Sequence, residues 1–278
     1  MSGPRRRGRG RQLRYAFALL AGMYGAPSAA LGQSAAPDLS ARAIDEKSMR
    51  SGSTFLAPET LAQQNDLTVN PGMLWVEKGA KLWADPAGGS GKSCAACHGA
   101  PESLKGVATR YPKLDTAANR VLNLADRIQQ CRVERQGAPV LPDEGEAILS
   151  LTALVAHQSR GLPLAVEIDA AARQHWEAGR ALYYSRIGQL NLSCAQCHEQ
   201  NWGKRLRNEP ISQGHPNGYP AYRLEWQTLG SLERRLKACF LGVRAEPPEP
   251  AAEEMRDLEL FLSWRGQGLT METPAVRR

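Results

Sequence analysis

Two short stretches of the chain share one pattern of apolar and polar positions and lie a hundred residues apart. Residues 77–83 read EKGAKLW and residues 177–183 read EAGRALY. Each pattern predicts a short helix that is followed by a loop. Because self-similarity at a fixed separation indicates repeated structure, we predict an internal duplication.

A second pair of matching segments follows at residues 111–131 and 219–239, and both begin with Tyr-Pro and end with Cys. An apolar stripe at helical spacing leads up to each final cysteine, and this face should turn inward. The stripes consist of Val121, Leu124, Ile128 and Cys131, and of Leu229, Leu232, Leu236 and Cys239. Residues 146–157 and 253–264 then predict an amphipathic helix at the end of each repeat.

Few segments carry strand signals, so we predict a mainly α-helical fold. A length of 278 residues accommodates two domains. We assign residues 1–32 to a signal peptide and residues 33–70 to an irregular arm packed across one domain. The two domains then comprise residues 71–160 and 161–278, with a short linker at SRGLPLAV between the repeats.

The formal charge of +7 comes almost entirely from the leader, where six arginines precede residue 15 without any acidic residue. The apolar stretch YAFALLAGMYGAPSAALG follows, and the two together are typical of a secretory signal peptide. We expect cleavage between Ala29 and Ala36; an uncleaved leader that anchors the chain is the alternative. The remaining sequence shows neither an apolar run long enough to span a bilayer nor a basic, aromatic patch for nucleic acid.

Four of the six cysteines lie in two Cys-x-x-Cys-His motifs, SCAACHG at residues 93–99 and SCAQCHE at residues 193–199. Two thiols and a following histidine in this order can attach a haem covalently and coordinate its iron. A redox dithiol or half of a zinc site is the alternative. We predict two covalently bound haem c groups. They attach through Cys94 and Cys97, and through Cys194 and Cys197, with His98 and His198 as axial iron ligands.

The two remaining cysteines, Cys131 and Cys239, occupy equivalent positions of the two repeats. In an exported protein, these two cysteines can form a disulfide with each other, or each can be a free buried thiol. The repeat favours an equivalent local role, which is the second axial position of each haem iron. His157 in the first repeat, and Met255 and His215 in the second, are competing ligands.

An arginine precedes each of these cysteines by one helical turn, Arg127 in the first repeat and Arg235 in the second. A guanidinium near sulfur favours the thiolate and can bind an oxyanion. Pairing with haem propionates, or exposure to solvent, is the alternative. Arg234, Lys237 and Arg244 surround Cys239, so the second repeat favours an anionic substrate.

The two haem motifs, the extra cysteine in each repeat and the Arg-x-x-x-Cys spacing within RRLKACFLGVRAEP resemble the SoxA family. SoxA proteins are the dihaem subunits of the SoxAX cytochromes of bacterial thiosulfate oxidation. The resemblance covers nearly all of the mature chain. It implies two class I cytochrome c domains in a periplasmic L-cysteine S-thiosulfotransferase.

The family resemblance also implies partners and residue roles. The monohaem cytochrome SoxX would form a heterodimer with this chain, and thiosulfate would be joined to a cysteine of the carrier protein SoxYZ. Electrons would pass through haem to a cytochrome c acceptor. Cys239 would be the catalytic haem ligand that forms a persulfide, Arg235 would bind substrate, and Cys131 would ligate the other iron. A non-catalytic dihaem electron-transfer protein and a dihaem peroxidase are the alternatives.

Overall fold

The structure, a computed structural model, describes residues 44–278. The predicted signal peptide and residues 33–43 of the predicted arm lie outside this range. The described residues belong to one compact unit. No helix among them is long and apolar enough to cross a membrane.

The first half of this unit, residues 71–160, begins with two helices, of which the second carries the first motif. These are α2 (Met73–Ala84) and α3 (Cys94–His98), after the short α1 (Pro58–Asn65) of the preceding arm. A hairpin follows, made of β1 (Lys113–Asp115) and β2 (Arg120–Leu122), and then α4 (Leu124–Gln136) and α5 (Glu146–His157). Four 3₁₀ helices lie at Glu46–Ser48, Gly52–Phe55, Pro101–Leu104 and Ala108–Arg110.

The second half, residues 161–278, repeats the order of these elements. It contains α6 (Arg173–Tyr184), α7 (Cys194–His198), β3 (Arg205–Leu206), β4 (Glu209–Pro210), β5 (Ala221–Arg223), β6 (Thr228–Gly230), α8 (Leu232–Gly242), α9 (Glu253–Arg265) and β7 (Ala275–Arg277). The β3–β4 hairpin lies within the longer loop that follows the second motif. The predicted mainly α-helical cytochrome c architecture therefore accounts for the observed elements.

The helix that precedes each motif packs against the last helix of its own half, α2 on α5 and α6 on α9. Aromatic side chains fill the second of these interfaces, where the rings of Trp176 and Trp264 meet edge to face at 4.9 Å. Trp176 and Tyr183 are fully buried. Burying large rings of this kind is the main source of helix-packing free energy in such an interface.

The predicted apolar stripes run across two elements in each half. Val121 and Leu229 are buried as predicted, but they belong to strands β2 and β6, so the helical spacing does not extend to them. The helices begin at Leu124 and Leu232, after Asn123 and Ser231 at the N-caps. An N-cap side chain satisfies a free backbone N–H of the first turn, which explains why both helices begin there.

The N-terminal arm and the linker both pack on the C-terminal segment. Strand β7 pairs in parallel with β5, and the buried side chain of Gln64 on α1 accepts from the backbone N–H of Val276 at 3.2 Å. In the linker, Leu164 exchanges backbone hydrogen bonds with residues 268 and 269 at 2.9 Å. The described part of the arm is therefore ordered against the second half, and the linker is held in place.

Candidate functional site

The two motifs form five-residue helices whose caps orient the ligating side chains. Ser93 accepts from the backbone N–H of Ala96 at 3.0 Å, and Ser193 accepts from that of Gln196 at 3.3 Å. Residues three and four positions apart share one helix face. Each helix therefore presents both cysteines and the histidine on the same side.

The first motif faces a cleft between α3 and α4. Cys94, Cys97, His98 and Cys131 all line this cleft, which encloses about 950 Å³ including its open mouth. Leu124 and Ile128 line it as well, which explains why these stripe residues are only half-buried. The structure thus brings together all four residues predicted for the first haem.

Neighbouring side chains hold the first motif against the core. Trp83 donates its indole N–H to the carbonyl of Gly99 at 2.9 Å, and its ring lies 5.7 Å from the ring of His98. Gln136 points its amide at the Cys94 sulfur at 3.6 Å. Burial raises the pKa of the Cys94 and Cys131 thiols.

The second motif meets the second extra cysteine in the same way. Burial raises the pKa of the Cys194 thiol to about 12, and the nearby sulfur of Cys239 contributes to this rise. Cys239 also acts on Cys197, whose pKa is raised first by burial. Cys194, Cys197 and Cys239 therefore lie together, at a site separate from that of Cys131.

The ring of His198 is held in one orientation. Its Nδ1 lies 2.8 Å from the carbonyl oxygen of Ser212, so Nδ1 donates and Nε2 is left as the ligating nitrogen. A Cβ on Gly214, which has a φ of +74°, would lie 2.9 Å from Cγ of this ring. Burial, against the effect of the Ser212 hydrogen bond, lowers the pKa of His198 to about 4. The imidazole is therefore neutral at physiological pH, as iron ligation requires.

Arg265 on α9 fixes the chain around His198. It donates to the carbonyl oxygens of Gln213 at 2.6 Å and of His198 at 3.3 Å, and to Glu199 at 3.1 Å. Its guanidinium also lies over the ring of Tyr183 at 5.1 Å. Sequence reasoning missed both Ser212 and Arg265, because a backbone acceptor and a contact from a distant helix leave no local sequence signal.

The arginines that precede the extra cysteines have different partners. Arg127 forms a salt bridge with Asp115 at 2.6 Å and a hydrogen bond with Gln130 at 2.8 Å. Among the described residues, no carboxylate lies within salt-bridge distance of Arg235. Burial lowers the pKa of Arg235, but the negative charges of Cys239, Tyr219 and Glu225 outweigh this and raise it. Arg235 is therefore a half-buried cation beside Cys239 that is free to bind an anion.

The residues that compete with the two cysteines as axial ligands make contacts of their own. Met255 is fully buried in α9, and His215 contacts Gln213 at 3.2 Å. His157 lies 3.4 Å from the carbonyl oxygen of Thr273. All six cysteines are free thiols, so Cys131 and Cys239 do not form a disulfide.

The residues present fit a covalently attached haem in each half. The first cleft joins two thiols, an imidazole and a third sulfur around one space with a mainly apolar lining. In the second half, the bonded Nδ1 of His198 leaves Nε2 for iron, with the Cys239 sulfur nearby. Histidine and thiolate are both established haem ligands.

Comparisons with known proteins show which family the chain resembles. Residues 78–164 match the family model described as SoxA/TsdA, cytochrome c domain. The L-cysteine S-thiosulfotransferase subunit SoxA of Pseudaminobacter salicylatoxidans is 44% identical over 230 residues, which cover 82% of this chain and 80% of that protein. The subunit of the same name from Rhodovulum sulfidophilum is 41% identical over the same shares of both chains. The crystal structure of SoxXA from P. pantotrophus matches with a TM-score of 0.80 and 35% identity, covering 83% of this chain and 87% of that one.

Proposed function

The chain belongs to the SoxA family of L-cysteine S-thiosulfotransferase subunits, and from this premise we propose that it oxidatively joins thiosulfate to a cysteine of a carrier protein. The observation that carries the proposal is Arg235 one helical turn before Cys239, with no carboxylate partner among the described residues. An unneutralised guanidinium beside a sulfur suits an anionic sulfur substrate.

In the proposed reaction, the Cys239 thiolate forms a bond to the outer sulfur of thiosulfate, and two electrons leave. Cys239 then carries the whole thiosulfate group, Cys–S–S–SO3⁻, through a sulfur–sulfur bond. The carrier thiolate attacks the outer sulfur, the bond to Cys239 breaks, and Cys239 returns as a thiolate. The carrier cysteine loses one proton overall and gains the thiosulfate group.

Arg235 binds and orients the substrate. Its planar guanidinium can hold two oxygens of the sulfonate group through paired hydrogen bonds. The same positive charge stabilises the Cys239 thiolate, the nucleophilic form of the residue. One side chain therefore both positions the anion and prepares the sulfur that reacts with it.

We propose two haem c groups, held by Cys94 and Cys97 in the first half and by Cys194 and Cys197 in the second. His98 and Cys131 would hold the iron of the first group, and His198 and Cys239 would hold that of the second. When bound, the groups supply an electron acceptor beside Cys239 and a path for electrons to leave. The matching order of elements in the two halves supports an origin by internal duplication.

The proposed partners follow from the relatives. The solved structure of SoxXA supports a heterodimer of this chain with a SoxX subunit. We propose SoxYZ as the carrier and a c-type cytochrome as the electron acceptor. The proposed location is the periplasm, since covalent haem attachment and the predicted signal peptide at residues 1–32 both belong to an exported protein.

The test is thiosulfate-dependent modification of the carrier by the haem-loaded complex, followed by mass spectrometry of the carrier cysteine. We expect Cys239→Ala to lower the rate by about 100-fold or more, as for loss of a covalent nucleophile. Haem content, measured by absorbance, must match the wild type. Full activity of the Cys239→Ala protein would overturn the catalytic role. Absence of turnover in the complete wild-type mixture would instead favour the electron-transfer alternative.

A further inference from the structure

The two arginine–cysteine pairs follow hairpins of the same shape, but the charges at matching positions are opposite. Asp115 and Arg223 are each the last residue of the first hairpin strand, β1 and β5. Asp126 and Arg234 are each the third residue of the helix that carries the pair, α4 and α8. Two acids of the first half are thus replaced by arginines in the second. Glu225 and Glu233 in turn take the places of two alanines, so the gain of positive charge in the second segment is partly offset.

In the first half, the carboxylate of Asp115 neutralises the positive charge of Arg127. One carboxylate oxygen accepts from the backbone N–H groups of Ala117 and Ala118 at 3.0 and 3.1 Å. The other accepts from Arg127 at 2.6 Å. These hydrogen bonds hold the carboxylate charged and fixed, so the guanidinium of Arg127 is already paired with an anion of the chain itself.

In the second half, Arg223 adds positive charge at the corresponding position. It is 8% exposed, and its Nε has no partner among the described residues. Its Nη2 forms a salt bridge with Glu225 at 3.1 Å, but the Glu225 side chain is 51% exposed, whereas that of Asp115 is 9% exposed. Solvent screens an exposed carboxylate, so Glu225 offsets the charge of Arg223 only in part. Its guanidinium lies 5.0 Å from the ring centre of Trp226, and that of Arg234 lies 4.3 Å from the same ring. The Trp226 ring therefore holds two cations beside the hairpin that leads into Arg235.

We propose that Arg223 determines which of the two sites accepts an anionic sulfur substrate, a conclusion that rests on the proposed function. Arg223, supported by Arg234, gives the second site the positive potential that draws a dianion to Arg235. Asp115 closes the first site, because an incoming anion would have to displace a fixed carboxylate from Arg127. Both halves share the Arg-x-x-x-Cys pair, so the residues that determine which site binds the substrate lie outside that pair.

The test is thiosulfate binding to the oxidised, haem-loaded complex without carrier, measured by equilibrium dialysis. We expect Arg223→Asp to weaken binding about tenfold or more, because it recreates the carboxylate of the first half. Arg223→Lys keeps the charge and should bind within about threefold of the wild type. In turnover with carrier, Arg223→Asp should raise KM and leave kcat within about twofold, since Arg223 acts on binding.

Arg120→Asp is the matched control, since it makes the same charge change on an exposed residue of the other hairpin and should leave binding unchanged. Asp115→Asn frees Arg127 and should raise the stoichiometry from one bound thiosulfate to two. If the Arg223→Asp protein fails to load haem, thiosulfate binding is measured on Arg223→Gln instead, and weaker binding than in the wild type is again expected. Wild-type affinity in the Arg223→Asp protein, or in Arg223→Gln where that variant replaces it, would overturn this inference but not the proposed function. An equal loss of affinity in Arg120→Asp would do the same. A wild-type complex that binds no thiosulfate would overturn the proposed function itself.

Discussion

The two motif histidines differ in what holds their rings. His198 has a hydrogen bond from Nδ1 to Ser212 and lies against Gly214, whereas the ring of His98 has no hydrogen bond among the described residues. Partners of the non-ligating nitrogen fix the tautomer and orientation of a ligating histidine. The second site is therefore the more rigidly prepared of the two.

Gly214→Ala should disturb only the second histidine. The new Cβ would lie 2.9 Å from Cγ of His198, and the residue would keep an unfavourable φ of +74°. We expect an altered low-spin signal of one haem in electron paramagnetic resonance, with the other signal unchanged. Gly203→Ala is the matched control, because φ is +80° there but nothing lies within 4 Å of the added Cβ. Identical spectra for Gly214→Ala and the wild type would contradict the assigned contact.

At the scale of elements, each half depends on one close helix contact. A Cβ on Gly79 of α2 would lie 2.3 Å from the carbonyl oxygen of Ser150, and one on Gly179 of α6 would lie 2.0 Å from that of Asp257. Both distances are far below van der Waals contact with rigid backbone. Glycine at these two positions therefore permits the helix crossing that places each motif beside its final helix.

Gly179→Ala should destabilise the protein although alanine is the better helix former. Separating α6 from α9 costs packing in the aromatic interface, and we expect a loss of roughly 1–3 kcal/mol in the free energy of unfolding. Denaturant unfolding followed by circular dichroism measures this loss. Gly242→Ala, at the end of α8 with nothing within 4 Å, should be neutral or slightly stabilising. An equal free energy of unfolding for the two variants would show that the close approach of Gly179 to Asp257 does not contribute to stability.

At the scale of the whole molecule, a buried ionic network joins the two halves. Arg256 of α9 donates to both carboxylate oxygens of Asp126 on α4, at 2.5 and 2.9 Å, and to Glu233 on α8 at 2.6 Å. Glu259 completes it, accepting from Asn123 at 3.0 Å. Asp126 and Asn123 are also the capping box of α4, so the network sets the position of the helix that carries Cys131.

Glu259 makes this network sensitive to pH. Burial, opposed by Arg256, raises the pKa of Glu259 from 4.5 to about 7. Because its pKa is raised, the Glu259 carboxyl binds its proton more tightly in the folded state than in the unfolded state. The stability of the folded state from this difference is complete below pH 4.5 and is lost as the pH rises through 7. Glu259→Gln should therefore match the wild type at pH 4.5 and gain roughly 1–3 kcal/mol over it at pH 8.

Thermal unfolding of the haem-loaded protein across this pH range measures the gain. A constant difference between Glu259→Gln and the wild type at every pH would contradict the raised pKa.

Features with local signals could be predicted from the amino-acid sequence. The repeated patterns at residues 77–83 and 177–183 predicted α2 and α6, and residues 146–157 and 253–264 predicted α5 and α9 within one residue at the end. The two Cys-x-x-Cys-His motifs predicted which residues attach haem, because their spacing follows from the chemistry of attachment. Equivalent placement of Cys131 and Cys239 was also visible, since a repeat is a property of the sequence alone.

The differences between the two similar halves became apparent from the folded chain. Three contacts join residues that no local sequence pattern relates. They are the salt bridge between Asp115 and Arg127, the hydrogen bond between His198 and the Ser212 carbonyl, and the stacking of Arg265 on the Tyr183 ring. The assignment of Val121 and Leu229 to strands depended on hairpin pairing rather than on apolar spacing. Electrostatics and hydrogen bonds act through space, so the partners of Arg235, or their absence, become visible only when the chain has folded.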